Sequence, residues 1–175
     1  MAYGGSMDIR IPTAEQPLTV SGAAKVLKGS YAALSVDAAA LQPLEIELQA
    51  ILGDDFEELK GHRDLRDGAD RYHMTIIEPR EFRKVTRELK QAGSKLELPK
   101  SPIRFAVYGV GTASSEGRST WFAVCRSQAV ADWRKSLGLP AKDLHITLAF
   151  GAGGDVHGVP KGMQTLISST TTEKD

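Results

Sequence analysis

Two tetrads in the chain repeat one pattern of histidine, apolar, threonine, apolar: His73-Met74-Thr75-Ile76 and His145-Ile146-Thr147-Leu148. The chain holds four histidines. For this composition, two such tetrads among them arise by accident on the order of once in a thousand sequences, so the repetition carries the signal. On a strand, alternation places His73 and Thr75 on one face and Tyr72, Met74 and Ile76 on the other; it divides His145 and Thr147 from Leu144, Ile146 and Leu148 in the same way. The apolar faces belong in a core, and the four polar side chains then require hydrogen bonds or solvent. If the two strands lie near each other, two imidazoles and two hydroxyls meet in one cleft. Splitting a phosphodiester needs a base for the attacking oxygen and an acid for the departing one, on opposite sides of phosphorus. Imidazoles with a reference pKa of about 6.5 supply both forms near neutrality, and a shared site couples their titrations. Threonine hydroxyls can donate to the non-bridging oxygens. That chemistry calls for no metal and no cofactor.

Zinc is the competing use of a histidine pair. A catalytic zinc normally takes a third protein ligand, and the nearby Asp143 is expected on the core-facing side of its strand.

The elements that must present these residues can be read from the pattern. Tyr31–Val36 reads as a strand and Gln42–Leu52 as a helix stopped by Gly53, followed by a charged, turn-rich loop over Gly61–Asp70. Tyr72–Ile77 is the first histidine strand, ended by Pro79, and a helix follows from about Arg80 to Ala92, closed by Gly93. Ile103–Tyr108 and Thr120–Cys125 read as antiparallel strands joined by a long mobile loop rich in glycine and serine. Gln128–Leu137 is predicted helical, and Leu144–Phe150 is the second histidine strand. Each half therefore puts a helix ahead of a histidine strand, which suggests a duplicated α+β lobe. The first 27 residues are expected to be a leader, Met1–Ser6, and an irregular arm; residues 28–162 form the domain, and 163–175 a polar, flexible tail.

Composition bounds the partners. With 22 basic and 22 acidic residues among 175, the chain offers no general electrostatic attraction for long duplex nucleic acid, while a short phosphorylated ligand remains compatible. Cys125 is the only cysteine, which excludes an intramolecular disulfide and suits a reducing, cytoplasmic location; it reads as a buried, inert thiol. No apolar run reaches the roughly 20 residues of a membrane span. A monomer is expected.

The motif pair resembles the two-histidine (2H) phosphoesterases, whose mark is two His-apolar-Thr/Ser-apolar tetrads; the resemblance covers roughly Tyr31 to Gly151. It implies a bilobal, pseudo-twofold α+β fold, with two antiparallel sheets flanked by helices around a central cleft. It also implies that His73 and His145 are the general acid and base and that Thr75 and Thr147 bind phosphate oxygens. Members of that superfamily act on 2′,3′-cyclic phosphates of RNA ends or nucleotides, on ADP-ribose cyclic phosphate, on 2′,5′-oligoadenylates, or on cyclic oligonucleotide messengers.

The leading expectation is metal-independent hydrolysis of a 2′,3′-cyclic phosphate. The alternatives are cleavage of 3′,5′- or 2′,5′-linked oligonucleotides or cyclic dinucleotides, and a non-catalytic module that binds nucleotides or RNA ends. Beyond the motifs, Arg80 and Arg83 are candidates for a second phosphate, Arg118 for a loop closing over the ligand, and Tyr31, Tyr72 and Trp121 for stacking on a base. Core packing or a solvated surface competes with each of these roles. His62 and His157 are expected to be solvated.

Overall fold

A computed structural model describes residues 9–167. In chain order its main elements are strands β1 (Leu18–Leu27) and β2 (Tyr31–Asp37), helices α1 (Gln42–Leu52) and α2 (Phe56–Asp67), strand β3 (Arg71–Ile77), helix α3 (Pro79–Gln91), strands β4 (Ile103–Ser115) and β5 (Arg118–Arg126), helix α4 (Gln128–Ser136) and strand β6 (Leu144–Phe150). All six strands form one sheet in the order β3-β2-β1-β4-β5-β6, with every neighbouring pair antiparallel. The class is α+β, as expected. The two expected sheets are instead one continuous ladder, because β1 and β4 hydrogen-bond from Leu18↔Val107 to Gly22↔Ile103. Each half runs from its third strand at the edge to its first at the centre, so β3 and β6, which carry the histidines, are the two outermost strands. The sheet curls enough for these edges to pack against each other.

Strand β1 corrects the expected irregular arm. Its alternation is real, with Val20 and Gly22 buried between exposed Thr19, Ser21 and Ala23, but Gly22 disguises it as a turn. Glycine is required at this position, since a Cβ would lie 2.9 Å from the Ser35 carbonyl oxygen and 3.0 Å from the Leu34 Cβ. Two expected loops are also absent. The charged segment from Gly61 is the second half of α2, which buries Phe56 and Arg63 and ends at Gly68, φ 99°. The expected mobile loop is a hairpin in which β4 and β5 stay paired to Ser115↔Arg118 around Glu116 and Gly117, with φ of 52° and 76°, the left-handed pair of a tight two-residue turn. Of the expected tail, residues 163–165 form a short 3₁₀ turn and Leu166 bridges to Gly111; residues 168–175 and the expected leader lie outside the described residues. No helix among the described residues is long and apolar enough to cross a membrane.

The apolar faces of the histidine strands are core, as their parity requires: Met74, Ile76 and Ile146 are fully buried, and Tyr72, Leu144 and Leu148 nearly so. Arg134 of α4 locks the two ends of the structure together. Its Nη1 donates to the Ile76 carbonyl (3.0 Å) and Glu81 Oε1 (2.9 Å), and its Nη2 to Glu81 Oε2 and the Pro140 carbonyl (both 2.8 Å). One buried guanidinium therefore joins the end of β3, the first turn of α3 and the approach to β6.

One buried acid has no such partner. Glu47 of α1 faces β4 near Gly109 and Val110, with Oε1 unpaired, and burial raises its pKa to about 7 against a smaller opposing effect of the Val110 backbone. Between pH 4.5, its unperturbed value, and about 7, the folded chain holds a proton that the unfolded chain has released. Stability is therefore complete below that window and declines as pH rises through it. Glu47→Gln is expected to match wild type near pH 4 and to exceed it by up to about 3 kcal/mol at pH 9, as chemical denaturation at the two pH values would show.

Candidate active site

The period of the strands carries both motifs to one place. On β3, His73 lies opposite Ser35 and Thr75 opposite Ala33; on β6, His145 lies opposite Val124 and Thr147 opposite Phe122. All four motif side chains line a single cleft of about 760 Å³ where the two edge strands approach. Each imidazole leans on an aromatic ring of the neighbouring strand: His73 on Tyr31 (ring centres 6.2 Å apart, tilted 54°) and His145 edge-on to Phe122 (5.6 Å, 69°).

Both histidines are weakened as bases. Burial lowers the pKa of His73; Asp67 opposes the shift, while Arg66, Arg63 and Lys28 reinforce it. For His145, burial together with Lys161 and Lys142 lowers the value to about 3, against a smaller opposing effect of Asp155. The Asp143 carbonyl slightly favours its protonated ring, but outside hydrogen-bond geometry, so the buried Nδ1 has no partner among the described residues. Both rings are thus neutral at pH 7 in the free protein. This departs from the expectation that one of them is charged, and the reason is burial of both rings, reinforced by the cations sharing the pocket.

Those cations were missed in the sequence. Arg66 of α2 donates from Nη1 to Asp155 Oδ2 and from Nε and Nη2 to the two oxygens of Asp67, all at 2.8 Å. Burial opposes ionisation of Asp155, but Arg66 and Lys161 outweigh it and hold the carboxylate charged. The Thr147 hydroxyl donates weakly to the same carboxylate (3.4 Å). Lys161 is buried, with Nζ donating to the Val156 carbonyl (2.6 Å) and lying 3.8 Å from Asp155 Oδ1. Lys142, on the opposite wall, pairs with Glu78 (2.6 Å). Arg66 and Asp67 fall in the stretch whose charge and turn residues suggest a loop but which forms the end of α2. For Asp155 and Lys161 the only signal was their isolation as charged residues within the stretch from Gly151 to Gly162.

Of the substrate-contact candidates, Tyr31 and Arg80 line the cleft. Tyr72, Arg83, Arg118 and Trp121 do not. Tyr72 shares the core side of β3 with Met74 and lies under the Arg63 guanidinium, 3.8 Å from its ring centre. Trp121 packs on the core and Arg83 points to solvent from α3. Arg118, held in the hairpin rather than on a closing loop, borders an adjacent hollow. His157 is exposed, as expected, but at the rim of the cleft. His62 is half-buried on α2, 3.6 Å from Glu58, rather than in a solvated loop. Asp143 precedes β6 by one residue and, two before His145, shares its parity, so it lines the cleft instead of the core; there its Oδ2 accepts the Lys161 backbone amide (3.1 Å). Among the described residues no three His, Cys, Asp or Glu side chains converge in metal-ligating geometry. Cys125 is buried and its thiol is held protonated by burial, as expected.

A family model described as "2H-SAK: Swiss Army Knife, 2H phosphoesterase domain" matches residues 30–157. That span takes in both tetrads, β2 to β6 and Asp155, and begins after β1. No curated protein and no solved structure matches the chain significantly.

Proposed function

Because this chain belongs to the 2H phosphoesterase family, we propose that it hydrolyses the 2′,3′-cyclic phosphate of an RNA end or nucleotide by two-histidine acid–base catalysis, without a metal. The family supports activity of the phosphodiesterase type. The observation that carries the finer reading is the meeting of both His-x-Thr faces in one cleft.

Electrostatics favour a division of labour. His145, kept neutral by burial, Lys161 and Lys142, takes a proton from water. The water oxygen bonds to phosphorus, the bond from phosphorus to one ribose oxygen breaks, and His73 gives its proton to that oxygen. His73 has Asp67 nearby to favour its charged form, and the bound phosphate anion adds to that effect. Thr75, Thr147 and Lys161 hold the non-bridging oxygens as the charge is redistributed. The products are a nucleoside 2′- or 3′-monophosphate and two histidines with exchanged protonation, which solvent resets. Tyr31, whose ring neighbours His73, would support the base or ribose in this reading.

The test is turnover of 2′,3′-cyclic nucleotides by protein purified and assayed in EDTA. Monophosphate formation is the expected result. Inactivity on every cyclic nucleotide with and without added divalent metal would overturn the reading, and tight binding with no turnover from pH 5 to 9 would favour a non-catalytic nucleotide-binding module.

A further inference from the structure

Next to the histidine cleft lies a larger groove of about 930 Å³; Lys142 and Asp143 line both. The groove runs over the ends of β4 and β5 to the first turn of α4. Its charge comes chiefly from Arg104 and Arg126. Ala106 is the partner of Arg126 across the β4–β5 ladder, and Arg104 lies two residues before Ala106. The two arginines therefore stand on one face as diagonal neighbours, about 7–8 Å apart and somewhat closer at Cβ. Both are exposed, and among the described residues neither has a carboxylate within ion-pair distance. The one acid lining the groove, Asp143, accepts the Lys161 amide. A third guanidinium, Arg134, is occupied by Glu81 and two carbonyls at the base. On a chain with no net charge, two unneutralised arginines beside Lys142 form a local cationic track leading to the histidines.

We propose that this groove is a second anion subsite, in which Arg104 and Arg126 hold a neighbouring phosphate of a single-stranded oligonucleotide whose reacting phosphate lies between His73 and His145. The inference deepens the proposed activity and rests on it for the position of the reacting phosphate. Planar guanidinium forks suit phosphate oxygens, and two of them on one sheet face can clasp one phosphate from two directions. The sequence pointed to Arg80 and Arg83 for such a role; Arg83 lies outside the cleft, and Arg80 lies at its wall without adjoining this groove.

The experiment compares wild type, R104S/R126S and R104K/R126K. Binding of a fluorescein-labelled 2′-O-methyl hexanucleotide, which lacks the 2′ hydroxyl, is followed by anisotropy across salt concentrations, alongside turnover of a mononucleoside 2′,3′-cyclic phosphate. The serine pair is expected to bind the oligonucleotide about tenfold or more weakly, with its log–log salt slope flattened by about 0.7, the value for one lost phosphate contact on a single strand. The lysine pair should keep most of the slope, and mononucleotide turnover should stay within about twofold in both, which also reports a folded cleft. Equal affinity and slope in wild type and the serine pair, or no measurable binding by wild type, overturns the subsite. Oligonucleotide binding that depends on the arginines, with no turnover of any cyclic phosphate, would sink the proposed activity and leave the anion subsite standing.

Discussion

His73→Ala and His145→Ala are each expected to lower kcat on a 2′,3′-cyclic nucleotide by about 10²–10⁴-fold, the usual worth of a positioned acid or base. Their pH profiles should differ. In the free protein both histidines titrate below their usual value, His145 near 3 and His73 on the acid side of 6.5. The proposed productive form has His73 protonated and His145 neutral, so wild-type kcat/KM should peak between those two values and fall as pH rises past that of His73. His73→Ala should abolish the alkaline limb and His145→Ala the acidic one. Activity of both variants within about tenfold of wild type across the whole range would sink the acid–base assignment.

His145 also has a signature that needs no substrate. Its folded pKa is depressed, so between pH 6.5 and about 3 the unfolded chain binds a proton that the folded chain refuses. Stability is then fully present above 6.5 and is lost as pH falls, by up to about 1.4 kcal/mol per pH unit from this group. His145→Ala should flatten that acid limb in denaturation experiments, separating the buried, neutral state of the ring from any question of turnover.

Arg134→Ala is expected to cost about 3–5 kcal/mol, the range for removing one partner of a buried ion pair. The loss leaves the Glu81 carboxylate unmatched and the Ile76 and Pro140 carbonyls without their donor. Burial opposes charging of Glu81, and Arg134 is the group that overcomes it. For a chain of this size the change corresponds to a fall in Tm of roughly 6–20 °C. Glu78→Gln is the contrast. It removes the Lys142 partner from the rim, where Glu78 is more than half exposed, and should cost under about 1 kcal/mol. Equal shifts from the two substitutions would mean that Arg134 does not tie the histidine strands together.

Much of the site was legible because its logic is local. A two-residue repeat is enough to put His73 with Thr75 and His145 with Thr147 opposite an apolar face, and the burial of Met74, Ile76 and Ile146 follows from the same count. Most helices and strands could be read for the same reason. The failures came where small residues hid a strand, as at Gly22, or where charge hid a helix, as in α2, whose buried residues are only Phe56 and Arg63.

Sequence by itself determined the chemistry available: two imidazoles and two hydroxyls on strand faces that a core would reject. Tertiary structure decided the charge on those imidazoles, because the groups that set it are distant in the chain. Arg66 reaches Asp155 across 89 positions, and Lys161 arrives from beyond the last strand. Electrostatic shifts depend on through-space distance and desolvation, and neither is a property of neighbours in a sequence, so the burial and the cationic wall that together keep both rings neutral emerged only when the edges of the curled sheet met.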